Sequence, residues 1–169
     1  MLIDAGSVKM NVEKLRVNEG VRNSFFLLHG FTGSSSDWLN VFALFDVTFN
    51  IYAIDSVGHG KSESPQDISF YSPESQSNQI KSIIEKFKGE KNVLLGYSMG
   101  GRLALTFALA YPEMIDGLIL ESSSAGIQNT EEKEKRIDRD AKLAEMIMNK
   151  PIEEFITSWI MQLQLPTKN

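Results

Sequence analysis

Short apolar runs alternate along this chain with segments whose apolar residues recur every three or four positions, the pattern of a parallel sheet covered by helices. Four runs read as buried strands: SFFLLH at residues 24–29, NIYAIDS at 50–56, NVLLGY at 92–97 and IDGLILE at 115–121. An earlier stretch, VKMNVEKLRV at 8–17, alternates polar and apolar positions and predicts an edge strand. Between the runs, DWLNVFALF predicts a short helix from about Asp37, which would be its N-cap. SPESQSNQIKSIIEKF predicts a longer helix with Pro73 in its first turn and Ile80, Ile83, Ile84 and Phe87 on one stripe. The segment from Met99 to Tyr111 predicts a third helix, stopped by Pro112.

The pattern changes after SSSAGIQNT. EEKEKRIDRDAKLAEMIMNK carries five acidic and five basic residues between Glu131 and Lys142, so it reads as a solvated helix and not a charged tail. Pro151 breaks it, and PIEEFITSWIMQLQL places Phe155, Ile156, Trp159, Ile160 and Leu163 at helical spacing. The expected organisation is therefore an α/β core over residues 1–125, followed by a helical piece from about Gly126.

Composition narrows the chemistry. With 169 residues, 42% of them hydrophobic, the chain can bury one sizeable core. It has no cysteine, which excludes a disulfide framework, a thiolate metal site and a cysteine nucleophile together. No apolar run is long enough to cross a bilayer, and MLIDAGSVKM lacks a basic patch followed by an apolar stretch, so a cytoplasmic location is expected. The net charge of −5 argues against a general nucleic-acid surface. It also means that an anionic substrate would need arginines placed locally against the overall field, and Arg102 and Arg136 stand out for that reason.

Three motifs carry candidate chemistry. Gly96-Tyr97-Ser98-Met99-Gly100 fits G-x-S-x-G with a buried strand before it and a helix after it, the context in which such a serine forms a nucleophile elbow. The glycines are needed because the strand-to-helix turn is too tight for a β-carbon at either position. His29-Gly30-Phe31-Thr32-Gly33 ends the first buried strand. In an elbow-type site the oxyanion hole takes one backbone N–H from that loop and one from the residue after the serine, here Phe31 and Met99. His29 reads as a structural histidine that shapes its loop. Asp55-Ser56-Val57-Gly58-His59-Gly60-Lys61-Ser62 reads as a structural glycine turn near the site.

LLHGFTGSSSDW, D-x-x-GHGKS and GYSMGGRLAL, in this order and spacing, resemble the α/β-hydrolase superfamily over residues 24–124. Within it, Arg102 and the stretch ILESSSAGIQNTEEKEKRIDRD resemble the 2-succinyl-6-hydroxy-2,4-cyclohexadiene-1-carboxylate synthases of the menaquinone pathway, which eliminate pyruvate from a multiply carboxylated cyclohexene. The resemblance implies an α/β-hydrolase fold with a helical cap, no metal or organic cofactor, and a small anionic carboxylated substrate. By motif position, Ser98 matches the family's triad serine, Arg102 and Arg136 its carboxylate-binding arginines, Tyr97 the residue beside the nucleophile, and Trp159 a pocket aromatic. Guanidinium groups suit such a substrate because they grip carboxylates with two parallel hydrogen bonds. Each assignment has a plainer alternative: a helix-surface ion pair for Arg102, a solvated position for Arg136, simple packing for Trp159.

One departure matters. A triad on this fold runs serine, acid, histidine along the chain, yet both histidines here precede Ser98. The expectation is a chain lacking the C-terminal strands that would bear the acid and histidine, or one completed by a second chain, or a naturally shortened non-catalytic form. Losing the histidine costs roughly 10⁶ in turnover in a serine protease, so the 169 residues alone are expected to be nearly inactive. The rival readings are a carboxylesterase or C–C hydrolase of the same fold and a non-catalytic carboxylate-binding module. Oligomeric state is not legible.

Overall fold

The computed structural model describes residues 1–45 and 48–164, with the side chains of residues 162–164 excepted. Leu163, a predicted stripe position, and the terminus at Asn169 lie outside the described side chains. The chain divides into two compact units, Met1–Ala125 and a second beginning at Gly126.

The first unit is built on six strands: β1 (Leu2–Asp4), β2 (Lys9–Arg16), β3 (Asn23–Leu28), β4 (Phe49–Ile54), β5 (Asn92–Tyr97) and β6 (Gly117–Glu121). They form one sheet in the order β1-β2-β4-β3-β5-β6. β1 and β2 are antiparallel to their neighbours, while β4, β3, β5 and β6 run parallel. In register, Leu28 at the end of β3 faces Ile54 on one side and Gly96 on the other. Three chain segments thus leave the sheet side by side at its carboxyl edge, where ligands bind in open α/β sheets.

Burial on both faces explains why the central strands are continuous apolar runs. Phe26 and Leu28 of β3 face a core shared with Ile54, Leu94 and helices α1 (Pro73–Phe87) and α2 (Met99–Ala110), which contribute Ile80, Ile83, Ile84, Leu103 and Phe107. Phe25 and Leu27 point the other way, into a second cluster with Ile51, Ala53 and Leu95 backed by Trp38, Phe42 and Phe45. Helix α1 starts as the sequence predicts, with the Ser72 side chain accepting from the Ser75 N–H and Pro73 in the first turn.

Three expectations are corrected. The strand over residues 8–17 is an edge strand only in part: β1 pairs with Lys9–Asn11, while Val12–Arg16 pair with β4 and, among the described strands, with no other. β1 has only three residues, too few to show an alternation. The helix expected from Asp37 is a pair of 3₁₀ turns, Ser35–Asn40 and Phe42–Leu44, and the cap is Ser34; Asp37 is the return partner of a capping box. The strand at 115–121 is not buried: Ile119 is 46% and Leu120 39% exposed, and among the described residues no strand pairs with the outer side of β6. Apolar content alone does not distinguish a central strand from an uncovered one.

The second unit contains α3 (Thr130–Asn149) and α4 (Ile152–Gln164). The Asn129 side chain caps α3 by accepting from the Glu132 N–H. No described side chain of α3 is buried, and Glu131–Lys135, Arg136–Asp140 and Asp138–Lys142 pair at i,i+4 along its surface. In α4 the Phe155 ring stacks on Trp159 with centroids 6.2 Å apart. No described helix is long and apolar enough to cross a membrane.

Candidate active site

Ser98 sits between the last residue of β5 and the first of α2 with φ 52° and ψ −109°, a left-handed conformation that costs a non-glycine residue of order 1–3 kcal/mol. The surroundings enforce it. A β-carbon at Gly96 would overlap the Gly100 carbonyl oxygen, and one at Gly100 would stand 2.5 Å from the carbonyl oxygens of both Leu28 and His29. The Ser98 N–H donates to the Glu121 carbonyl at 2.9 Å, and its own carbonyl accepts from the N–H groups of Gly101 and Arg102. The backbone of Ser98 is therefore committed on both sides. Ser98 is half-buried, and its Oγ has no hydrogen-bond partner among the described residues.

The loop after β3 closes against this turn. A β-carbon at Gly30 would lie 2.9 Å from the Tyr97 ring and 3.6 Å from the Ser98 β-carbon, so Gly30 is the residue that lets the loop approach the serine. Thr32 follows with φ 66°, a conformation unusual for a β-branched side chain. Of the three described non-glycine residues with positive φ, Thr32 and Ser98 thus lie on the two segments that meet here, as strained residues do at functional sites. Met99 opens α2 with no side chain capping the helix, so its N–H belongs to an electropositive first turn.

Both histidines have a place. His29 is 1% exposed, with Nδ1 2.7 Å from the Gly30 carbonyl oxygen and Nε2 accepting from the Ser56 N–H at 3.0 Å. Burial holds its pKa below the ordinary range, against the opposing pull of the Gly30 carbonyl. His59 is half-buried, with Nδ1 3.2 Å from the Val57 carbonyl oxygen, its ring 5.1 Å from that of His29 and 6.3 Å from Phe31. Neither imidazole hydrogen-bonds Ser98 among the described residues.

The turn from Asp55 to Ser62 is structural, as its sequence predicts, and it ties these loops together through partners the sequence does not reveal. Asp55 is 1% exposed, and its carboxylate accepts from the Ser35 N–H at 2.5 Å, the Lys61 N–H at 2.9 Å and Asn11 Nδ2 at 2.9 Å. Burial pushes the carboxyl up, but the hydrogen bonds outweigh it and hold the group below its ordinary value. Gly60 has φ 54°, and a β-carbon there would overlap the same carboxylate. Ser62 completes the tie, donating through Oγ to the Asp55 carbonyl and accepting from the Asn11 N–H. Outside that turn, the sequence marks a partner only through polar Asn11 between the apolar Met10 and Val12, both buried in β2.

The remaining candidates divide between the units. Arg102 lies one turn beyond Ser98 on α2, exposed, with no ion-pair partner among the described residues. Tyr97 is 43% exposed, its ring edge against Gly30. In the second unit, Arg136 donates from Nε to both oxygens of Asp140 at 2.7 Å, and Trp159 is half-buried beside Phe155. A cavity of about 480 Å³ bounded by Arg22, Asn50, Tyr52, Lys86 and Phe87 lies near the amino ends of β3 and β4, the end of the sheet opposite Ser98.

A strained serine at a strand-to-helix turn, seated at the carboxyl edge of a parallel sheet with a glycine loop against it, defines a class, and the comparisons agree. The chain belongs to the alpha/beta hydrolase fold family, whose profile matches residues 23–156. It is 32% identical over 135 residues to the 2-succinyl-6-hydroxy-2,4-cyclohexadiene-1-carboxylate synthase of Klebsiella pneumoniae, covering 80% of this chain and 52% of that one. A Bacillus subtilis protein that carries the same name provisionally is 35% identical over 161 residues, covering 89% of this chain and 58% of its own. Among solved structures, MenH from S. aureus superposes with a TM-score of 0.79 at 30% identity, over 93% of this chain and 60% of that one. The chain spans a little over half the length of these relatives.

Proposed function

We propose that the protein to which this chain belongs is a lyase of menaquinone biosynthesis that eliminates pyruvate to form 2-succinyl-6-hydroxy-2,4-cyclohexadiene-1-carboxylate. The observation that carries this reading is the placement of Arg102, without an ion-pair partner among the described residues, one helical turn from a strained Ser98, in a chain similar to enzymes of that name. Ser98, activated as a base, takes the proton that starts elimination. The N–H groups of Phe31 and Met99 receive the charge that develops on the substrate oxygen. Arg102 and Arg136 grip carboxylates, Arg136 by exchanging its Asp140 partner for the substrate, while Tyr97 and Trp159 line the pocket. Both ring nitrogens of His29 are engaged and neither histidine hydrogen-bonds Ser98 among the described residues, so the base that activates Ser98 is a group other than His29. The site works without a metal or organic cofactor, in the cytoplasm, on a small carboxylated substrate.

The test is pyruvate release from the carboxylated cyclohexene by the protein purified from its source cell, with its intact mass compared against 18.9 kDa. Release that disappears in Ser98→Ala is the expected result. Hydrolysis of neutral p-nitrophenyl esters in preference to elimination would assign a carboxylesterase instead. Arg102→Ala should raise KM for the carboxylated substrate by about 10-fold, the worth of one charge-assisted hydrogen bond, and leave ester cleavage unchanged. Equal losses on both substrates would remove the clamp role.

A further inference from the structure

The Gly30–Phe31 peptide can face either way in a glycine loop, and the direction decides whether the site has an oxyanion donor at all. A trans peptide is planar, so its C=O and N–H point in opposite directions; the described residues contain no cis bond. Fixing the Gly30 carbonyl therefore fixes the Phe31 N–H. Two donors fix it: the Gly33 N–H at 3.1 Å and the His29 ring at 2.7 Å.

The His29 contacts select a single form of the ring. A carbonyl oxygen can only accept, so Nδ1 must carry the proton; the Ser56 N–H can only donate, so Nε2 must be bare. Both demands are met by one neutral tautomer and by no other state. We infer that His29 is the positioning residue of the oxyanion hole, its Nδ1–H holding the Gly30 carbonyl toward the core so that the Phe31 N–H faces away from it, toward the developing oxyanion. This rests on the reading of Phe31 as an oxyanion donor. It gives a buried histidine outside any triad a part in the reaction, exercised through a peptide bond. Ser56 anchors the other side of the ring to the end of β4, so the orientation of the donor is referred to the sheet and not to the loop alone.

Two substitutions separate the two ring contacts. In His29→Asn the amide Nδ2 replaces Nδ1 and can still donate to Gly30, while the Ser56 contact is lost. In His29→Gln the longer side chain reaches the Nε2 position and accepts from Ser56, while Gly30 loses its donor. Imidazole ¹⁵N NMR of this chain should show His29 neutral with its proton on Nδ1, and crystal structures should show the Gly30 carbonyl retained in H29N and turned in H29Q. In the protein that performs the elimination, H29Q should lower kcat by about 10²-fold at unchanged KM, the cost of one oxyanion donor, with H29N restoring most of it. A proton on Nε2, an unturned peptide in H29Q, or equal kcat for H29N and H29Q overturns the inference. Failure of the elimination reading looks different: no variant or parent releases pyruvate, while the tautomer and the turned peptide stand.

Discussion

At the scale of single residues, the site stores strain that can be measured. Ser98 holds φ 52° because β5 and α2 leave its backbone no other path. Ser98→Gly should therefore be more stable than Ser98→Ala by about 1 kcal/mol in urea unfolding, since both lose the hydroxyl and only glycine relaxes the left-handed conformation. His29 makes a second prediction. Its folded-state pKa is depressed by burial, so below the ordinary value of about 6.5 the unfolded chain takes up a proton that the folded chain refuses. Stability is then present in full above that pH and is lost as pH falls toward the depressed folded value. The urea midpoint should drop between pH 7.5 and 5.5 in the parent and drop less in His29→Asn. Asp55 has the same sign at lower pH, its contribution fading only as the solution passes below 3.8 toward the depressed value. Of these residues Ser98 was legible in the sequence, because a tight turn leaves a glycine signature two residues to either side. Asp55 was legible only as part of a structural turn with Lys61, because its other partners, Asn11 and Ser35, lie 44 and 20 residues away and meet it only in three dimensions.

At the scale of elements, glycine at the start of α2 sets how closely the helix can seat on β3. Gly100→Ala would press a β-carbon against the backbone carbonyls of Leu28 and His29, neither of which can swing aside as a side chain would. A loss of about 3 kcal/mol is expected in thermal or urea unfolding, with the helix displaced in a crystal structure. The strands and helices that sequence reasoning located best are those with long periodic signals: α1 with its serine cap and proline, and β5 between turn residues. Those it misjudged fail for physical reasons. β1 is too short to carry a pattern, the turns at Ser35–Asn40 take 3₁₀ pitch although their residues would suit an α-helix, and β6 is apolar without being covered.

At the scale of the molecule, both buried clusters belong to Met1–Ala125, and residues 124–129 between the units are exposed. Gly126 has φ 134° and open space around it. Limited proteolysis should cut there first and leave a fragment ending near residue 125 that still unfolds cooperatively. A first cut inside β3, β4 or β5, or a fragment without a cooperative transition, would contradict this organisation.

The carboxylate of Asp55 also bears on how the site comes into being. It joins partners 44, 20 and 6 residues away, so the charge loses water only when β2, the turn before Ser35 and the turn at Lys61 have all arrived. With any one missing, a buried anion is left short of a donor, which disfavours every half-built form of these loops. Closing contacts of such unequal span is slow relative to local helix formation. β2 and the two turns are therefore expected to be secured together, in one cooperative step, since none of them satisfies the anion without the others.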